Sequence, residues 1–362
     1  MSDQPPHNAA SMLHQSPNGF AHSGTSIRPE FPPEDPTLAR TPVTYSTHHH
    51  AIGMSLRFET NDACVHAAAF DAFGPRSVPA QGDPDALIRV FVHHIDEEPD
   101  FRPRQPLIRS YDGTFWIAAS RSSVISGSAR TGVVTGFISD TIANQTDYLR
   151  GAFLQSAFLQ IAQPRSLVAV HSACLARNGR SLMLRGDSGA GKSTLAYAAL
   201  HRGYSLVAED VVFLRSRLGQ TDGRAAPNDI DLHGLPWTMH LLPDAAELFP
   251  ELALHDAFER PDGRLKLGIR IEDLFPGQTL ASVPLGPLVF VNRSNLPAPQ
   301  LTRLTRADAL SRLDSTAIHY ERDEDADHGI WDAFLSHPTY LLETSDNPHA
   351  NAAMLDEVVG EA

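Results

Sequence analysis

The spacing of apolar residues changes near residue 143, and this change separates two patterned parts of the chain. Between residues 45 and 142, short apolar runs alternate with polar residues, which is the period of two that strands show. In PLIRSYDGTFWIAAS, the pair Asp112-Gly113 stands between two such runs and predicts a tight hairpin turn. We therefore predict a small β-rich module over residues 45–142.

The next stretch, NQTDYLRGAFLQSAFLQIAQP, has a helical period instead. Its apolar residues recur four or five positions apart, at Tyr148, Phe153, Ala157 and Ile161. Asn144 or Thr146 would cap the start of a helix here, and Pro164 would end it. We predict one helix that joins the β-rich module to the residues that follow.

A strand–turn–helix pattern comes after this helix. In SLVAVHSACLARNGRSLMLRGDSG, the pair Asn178-Gly179 predicts a hairpin whose second strand, Ser181 to Leu184, leads into a glycine-rich turn. A helix from Ser193 to about His201 should then stop at Gly203. We predict that YSLVAEDVVFL is one buried strand, lying beside the strand before the glycine-rich turn in a parallel sheet.

The first residues lack any hydrophobic period. They are rich in Pro, Ser, His and Asn, a composition that cannot bury enough apolar surface to offset chain entropy. We predict a disordered tail over residues 1–44, the β-rich module over 45–142 and an α/β domain over 143–362.

The glycine-rich turn carries the clearest chemistry. Residues 186 to 193 read GDSGAGKS, which fits the phosphate-binding pattern G-x-x-x-x-G-K-[ST] between a strand and a helix. Its glycines let backbone N–H groups surround phosphates, its lysine reaches the β- and γ-phosphates, and its serine hydroxyl ligates Mg²⁺. The predicted ATP-binding residues are Gly186, Asp187, Ser188, Gly189, Ala190, Gly191, Lys192, Ser193 and Thr194.

Two adjacent acids, Glu209 and Asp210, follow the apolar residues SLVA. Buried neighbouring acids are costly unless a cation neutralises them, and a Mg²⁺–nucleotide would supply that charge. One acid would then bind the metal, directly or through water, and the other could accept a proton from a hydroxyl group. A hydrolase that positions water with the same acids is the alternative. His171, in an apolar strand, is either a core residue or part of this site.

Composition narrows the class of protein. The net charge of −14 argues against non-specific nucleic-acid binding, which needs a basic surface. The two cysteines, Cys64 and Cys174, match no zinc or disulfide pattern, which indicates a reducing compartment. The first residues lack the basic region and the apolar region that a signal peptide needs, so we predict none. No apolar run is long enough to span a membrane. We expect a cytoplasmic protein without membrane or nucleic-acid partners.

The ordered set of these features resembles the catalytic core of bacterial HPr kinase/phosphorylase and the related serine kinases. That family has a strand histidine, a GDSGxGKS loop, a helix ending in Arg-Gly and a strand with an acidic pair. The corresponding residues here are His171, Gly186 to Ser193, Arg202-Gly203 and Glu209-Asp210.

The resemblance implies a P-loop kinase core with a mixed sheet, related to phosphoenolpyruvate carboxykinase. It implies that Asp210 is the base toward a substrate serine and that His171 tunes the charge of Asp210. Lys192 would bind the phosphates of ATP and Ser193 would ligate Mg²⁺. The stretch DLHG resembles the place of a later acidic metal position, which makes Asp231 a metal candidate beside Glu209.

These observations together predict an ATP-dependent kinase that transfers the γ-phosphoryl group to a serine-type hydroxyl of a protein or peptide. The cofactors would be ATP and Mg²⁺, with Asp210, His171 and Lys192 catalytic and Ser193, Glu209 and Asp231 at the metal. A small-molecule kinase on the same core, and a P-loop ATPase or switch without an acceptor, stay open, as does a homo-oligomer.

Overall fold

The computed structural model describes residues 41–79, 82–94, 104–166, 168–218, 226–260, 263–316 and 327–361. Nearly all of the predicted disordered tail therefore lies outside the described residues, and its disorder stays a prediction. The described chain falls into two compact units. The first takes in the residues up to Pro164 together with Ala257–Lys266, and the second comprises Arg165–Asp256 and Leu267–Ala362.

The first unit contains the predicted β-rich module as a mixed sheet. Its strands are β1 (Tyr45–Ala51), β2 (Met54–Thr60), β3 (Ala86–His93), β4 (Leu107–Tyr111), β5 (Thr114–Ala118), β6 (Val124–Ser128) and β7 (Val133–Ser139). Among the described residues they are ordered β1-β2-β3-β7-β6-β5-β4. The predicted hairpin is confirmed, because Asp112 and Gly113 join β4 to β5 with φ angles of 47° and 73°, the left-handed pair that such turns need.

Helices cover one face of this sheet. They are α1 (Ala63–Phe73), α2 (Asp140–Ala143), α3 (Thr146–Tyr148), a π-helical stretch (Leu149–Gln155) and α4 (Ser156–Ala162). The predicted single helix is thus divided by a π-helical segment. It packs on α1, with the Phe73 and Phe158 rings 5.6 Å apart and the Gln155 amide donating to the Ala72 carbonyl. For this reason the compact units divide after Pro164 rather than at residue 142.

The chain from Val168 onward alternates strands and helices. Its strands are β8 (Val168–His171), β9 (Ala173–Arg177), β10 (Arg180–Arg185), β11 (Ser205–Ala208), β12 (Val211–Ser216), β13 (Ile230–His233), β14 (Thr238–Leu241), β15 (Ala257–Glu259), β16 (Leu265–Arg270), β17 (Ser282–Pro284), β18 (Leu288–Leu296), β19 (Gln300–Arg303) and β20 (Thr339–Ser345). Its helices are α5 (Lys192–Leu200), α6 (Ala245–Leu248), α7 (Ile271–Leu274), α8 (Arg306–Thr316), α9 (Asp327–Phe334) and α10 (Pro348–Glu361). No helix in the described part of the chain combines the length and apolarity that crossing a membrane requires.

Two sheets stack in the second unit. In the described residues, one has the order β11-β9-β10-β18-β20-β19 and the other the order β17-β13-β12-β8. The first is mixed, since β10, β18 and β20 run parallel while β9 is antiparallel to both its neighbours. Side chains alternate across β10: Leu182 and Leu184 join the core with α5 and α10, and Met183 joins the core with the second sheet. The predicted α/β class and mixed sheet are confirmed.

The prediction of one strand over YSLVAEDVVFL is wrong. β11 and β12 belong to different sheets, and Glu209-Asp210 forms the break between them. β11 is also not the parallel neighbour of β10, because the Asn178-Gly179 hairpin places β9 between them and β11 pairs antiparallel with β9. His171 is the last residue of β8, and β9 follows it in the sequence before β10, the strand that leads into the loop. β8 and β10 lie in different sheets.

One carboxylate fastens the last described helix to the body of the second unit. Asp356 of α10 accepts hydrogen bonds from Arg177 (2.6 Å), Tyr204 (3.0 Å) and Arg202. Burial would raise the pKa of Asp356, but its hydrogen bonds with Arg202 and Tyr204 outweigh this and lower it. The ionised carboxylate therefore stabilises the packing of α10 on the sheet.

We predict that Asp356→Asn lowers the free energy of unfolding by about 1–3 kcal/mol at neutral pH, because three donors lose a charged acceptor. A lowered pKa in the folded state means that this stabilisation is present above the ordinary aspartate pKa of about 3.9 and is lost as the pH falls below it. Urea unfolding between pH 7 and pH 3 would measure both effects, with the exposed neighbour Glu357→Gln as the control. Identical unfolding midpoints for Asp356→Asn and the parent at pH 7 would contradict this role.

Candidate functional site

The phosphate loop, residues 186–193, leaves the end of β10 and enters the first turn of α5. Gly191 precedes the helix with a φ of 93°, a left-handed conformation that favours glycine. A Cβ atom on Gly186 would lie 2.4 Å from the carbonyl oxygen of Val291 in β18, so the loop can pass this strand only as glycine. These positions explain why the sequence reads GDSGAGKS between a strand and a helix.

The Lys192 ammonium group lies inside the loop. Its Nζ donates to the carbonyl oxygens of Gly186 at 2.7 Å and Asp187 at 3.0 Å, and the residue is only 8% exposed. Burial lowers the pKa of Lys192, and the negative charge of Asp210 partly opposes this. The loop lysine and the second acid of the pair therefore interact electrostatically.

The acidic pair lies where the chain passes from one sheet to the other. β8 and β12 belong to the four-stranded sheet, and β9 and β11 belong to the six-stranded sheet. The chain crosses between them twice, at Ser172 and at Glu209-Asp210, and the Ser172 N–H donates to the Asp210 carbonyl at 3.1 Å. Residues at such a crossing leave the regular ladder, so their side chains can point toward the loop rather than into a sheet core.

His171 contacts Asp210 at this crossing. Its Nδ1 lies 3.0 Å from the Asp210 carbonyl oxygen and 3.1 Å from the Asp210 Oδ1, and His171 is buried. The register of β8 and β12 pairs His171 with Val211, directly after the acid. The structure thus brings together the histidine and the second acid that the sequence analysis selected.

Glu209 has different partners. The Ser193 hydroxyl donates to Glu209 Oε1 at 3.1 Å, which joins the acid to the first turn of α5. The backbone N–H of His240 donates to Oε2 at 3.0 Å, and the His240 Nδ1 lies 2.9 Å from the same oxygen. The two adjacent acids therefore have different partners. Glu209 contacts the loop serine, whereas Asp210 contacts His171 and interacts electrostatically with Lys192.

His240 is the site residue that the sequence analysis missed. It lies in β14, which pairs with β16, and it follows Glu209 by 31 positions in the sequence. No spacing rule connects the two residues, because β14 reaches the site only through tertiary packing. Its one local signal is a polar side chain between the buried residues Met239 and Leu241.

Asp231 is not brought to the loop. It lies in β13 opposite Arg215, and its carboxylate accepts from Arg217 at 2.9 and 2.5 Å. Arg215 is four residues along β12 from Val211, a distance of roughly 13 Å along the strand from the end that carries the acidic pair. The candidate metal set of Ser193, Glu209 and Asp231 therefore reduces in this geometry to Ser193 and Glu209.

The remaining groups fit a magnesium nucleotide. Magnesium in nucleotide sites takes one or two protein oxygens and completes its shell with phosphates and water, and the Ser193–Glu209 pair supplies such oxygens. In the described residues no three or more His, Cys, Asp or Glu side chains converge as a metal cage. The loop amides, Lys192 and the start of α5, where Thr194 is half-buried, could hold the phosphates.

Comparisons with known proteins find sequence similarity over part of the chain. A curated protein of Oceanobacillus iheyensis, named "Putative HPr kinase/phosphorylase 2", is 48% identical over 48 residues, which is 13% of this chain and 16% of that protein. A "Putative HPr kinase/phosphorylase" of Fusobacterium nucleatum is 32% identical over 100 residues, which is 27% of this chain and 14% of that protein. The predicted resemblance to HPr kinase/phosphorylases is confirmed, and the matches span about a sixth of the length of these relatives.

A solved structure gives a looser match. The HPr(Ser) kinase/phosphatase of Coxiella burnetii covers 53% of this chain and 94% of its own, with 13% identity and a TM-score of 0.27. No protein-family model matches the chain.

We predict that His240→Ala weakens Mn²⁺ binding in the presence of ATP about tenfold, because outer contacts that orient a metal-ligating carboxylate carry that much affinity. His240→Asn should recover part of the loss, since its amide can still donate to Glu209. Isothermal calorimetry would measure the affinity, with His255→Ala, another partly buried histidine of this unit, as the matched control. An unchanged Mn²⁺ affinity in His240→Ala would show that the contact does not orient Glu209.

Proposed function

We propose that the second unit is an ATP-dependent kinase that transfers the γ-phosphoryl group to a serine-type hydroxyl of a protein or peptide. The observation that carries the proposal is the division between the two adjacent acids. Glu209 contacts Ser193 at the start of α5. Asp210 contacts His171 and interacts electrostatically with Lys192. One acid thus serves the donor, and the other is left for the acceptor.

On the donor side, the phosphate loop would hold the phosphates of ATP. Lys192 would exchange its two carbonyl partners for the β- and γ-phosphate oxygens, and the amides at the start of α5 would add their partial positive charge. Ser193 and Glu209 would hold Mg²⁺, which supplies positive charge against the negative charge that develops during transfer.

On the acceptor side, Asp210 would accept the proton as the substrate hydroxyl attacks. A new oxygen–phosphorus bond forms, the bond between the γ-phosphorus and the bridging oxygen breaks, and ADP leaves with that oxygen. His171 would hold the Asp210 carboxylate in position, and nearby Lys192 would favour its ionised form. These residues act mainly by placing the groups and stabilising charge, as is general for phosphoryl transfer.

The relatives support a kinase but not a particular acceptor. Their names refer to HPr, a protein substrate, and the matched segments are a small part of each chain. For this protein we propose a protein or peptide acceptor, action in the cytoplasm, and no nucleic-acid or membrane partner. A homo-oligomer is compatible with all of these proposals.

We predict that Asp210→Asn lowers phosphoryl transfer about 10²- to 10⁴-fold, the range that a general base contributes, while ATP binding is retained. The measurement uses [γ-³²P]ATP with two acceptor probes, purified HPr and a peptide library randomised around a central serine. Lys192→Met should lose both ATP binding and transfer, because the loop then lacks the cation that reaches the phosphates.

The control for this experiment is Asp244→Asn, which removes an exposed carboxylate of the same unit. It should behave as the parent protein. Transfer that survives Asp210→Asn would show that another group is the base. Rapid ATP hydrolysis by the parent protein, with no label in either probe, would favour the ATPase alternative over the kinase.

A further inference from the structure

One face of the sheet in the first unit is open and apolar. Along β4, β5 and β6, more exposed residues alternate with less exposed ones, and the strand register continues this solvent face through Val133, Thr135 and Phe137 of β7. Five large apolar side chains on this face are exposed: Leu107, Tyr111, Trp116, Val124 and Phe137. Tyr111 is 81% exposed and Trp116 is 42% exposed. Contiguous exposed apolar residues of this kind mark interaction surfaces more often than scattered ones do.

The helices of the first unit leave this face uncovered. The opposite face carries the buried residues Phe115, Ile117 and Ile125, and the Ser110 hydroxyl on that side donates to Gln160 of α4. The open face carries twelve residues of β4 to β7, at positions 107, 109, 111, 114, 116, 118, 124, 126, 128, 133, 135 and 137. Arg109 alone among these twelve is charged.

β4 also ends the sheet in the described residues. A two-residue hairpin turn makes Tyr111 and Thr114 a hydrogen-bonded pair, so Arg109 and Leu107 also direct their backbone groups toward β5. Ile108 and Ser110 therefore direct their backbone N–H and C=O groups toward the open edge. The Arg109 guanidinium donates to the Ile108 carbonyl at 3.0 Å, which places this cation at the same edge.

The charge at the centre of β4 decides which strand this edge accepts. A second copy of the chain, paired antiparallel about the middle of β4, would place Arg109 directly opposite the partner's Arg109, and like charges in that position are destabilising. A strand with a carboxylate opposite Arg109 and apolar residues two positions to either side would match Arg109, Leu107 and Tyr111 instead.

We propose that the edge of β4 and its open face form a docking site for an extended peptide segment of another protein, in which an acidic residue stands between two apolar residues at alternate positions. The segment adds a strand to the sheet, its carboxylate pairs with Arg109, and its apolar side chains pack on Leu107, Tyr111 and Trp116. This site goes beyond the proposed kinase function and requires neither nucleotide nor phosphoryl transfer.

A peptide titration with the full chain tests the site. The probe is a fluorescein-labelled peptide with the core Leu-Thr-Glu-Thr-Leu, compared with the same peptide carrying Lys in place of Glu, and anisotropy is measured without ATP. The parent protein should bind the Glu peptide at least about fivefold more tightly, since a cross-strand charge pair changes sign between the two. Arg109→Glu should reverse that preference, and Trp116→Ser should weaken binding of both peptides.

Arg121→Glu is the matched control, because it reverses an exposed charge outside the strands and should leave both affinities unchanged. Circular dichroism confirms that each variant is folded. The proposal is overturned if neither peptide binds saturably, or if Arg109→Glu leaves the preference as it was. The proposal is also overturned if light scattering shows a dimer whose population changes in Arg109→Glu, because a second copy of the chain would then occupy the edge of β4. Glu97 and Glu98 form an acidic stretch shortly before β4 in the sequence. Peptide binding that arises only after both are replaced by Ser would overturn the proposal in favour of this stretch as the occupant.

Discussion

The hydrogen bond from the Ser172 N–H to the Asp210 carbonyl holds together the point at which the candidate site is assembled. The chain passes between the two stacked sheets twice here, from β8 to β9 at Ser172 and from β11 to β12 at Glu209-Asp210. This hydrogen bond joins the two crossings. Without the crossing, Glu209 and Asp210 would alternate along one strand and point to opposite sides of a sheet. With it, they leave the ladder together, and each can find its own partner while both stay near the phosphate loop.

The local chemistry of the site could be predicted because it depends on neighbouring residues. The turn at Asn178-Gly179, the loop glycines and the start of α5 are set by backbone conformations that only a few residue types adopt. His171 and Asp210 were found through an ordered pattern rather than through their own surroundings. Their contact depends on the register of β8 with β12, which the sequence does not display.

Other features could not be predicted from the sequence, and the reasons are again physical. A continuous apolar run over YSLVAEDVVFL is compatible with one strand or with two, and only the presence of a second sheet decides between them. Asp231 matched a motif position, yet its strand register carries it toward Arg217 and away from the loop. His240 could not be selected, because β14 meets Glu209 through packing between segments that are far apart in the chain.

The placement of β20 sets an order on how the second unit is completed during synthesis. β20 lies between β18 and β19 in the six-stranded sheet, and α10 packs against α5, yet both are made after every other described element of the unit. In a nascent chain, the pairings of β20 with β18 and with β19 can form only after Thr339 and the residues after it have left the ribosome. The unit therefore cannot fold by simple growth from its first strand, and the loop helix gains its final support last.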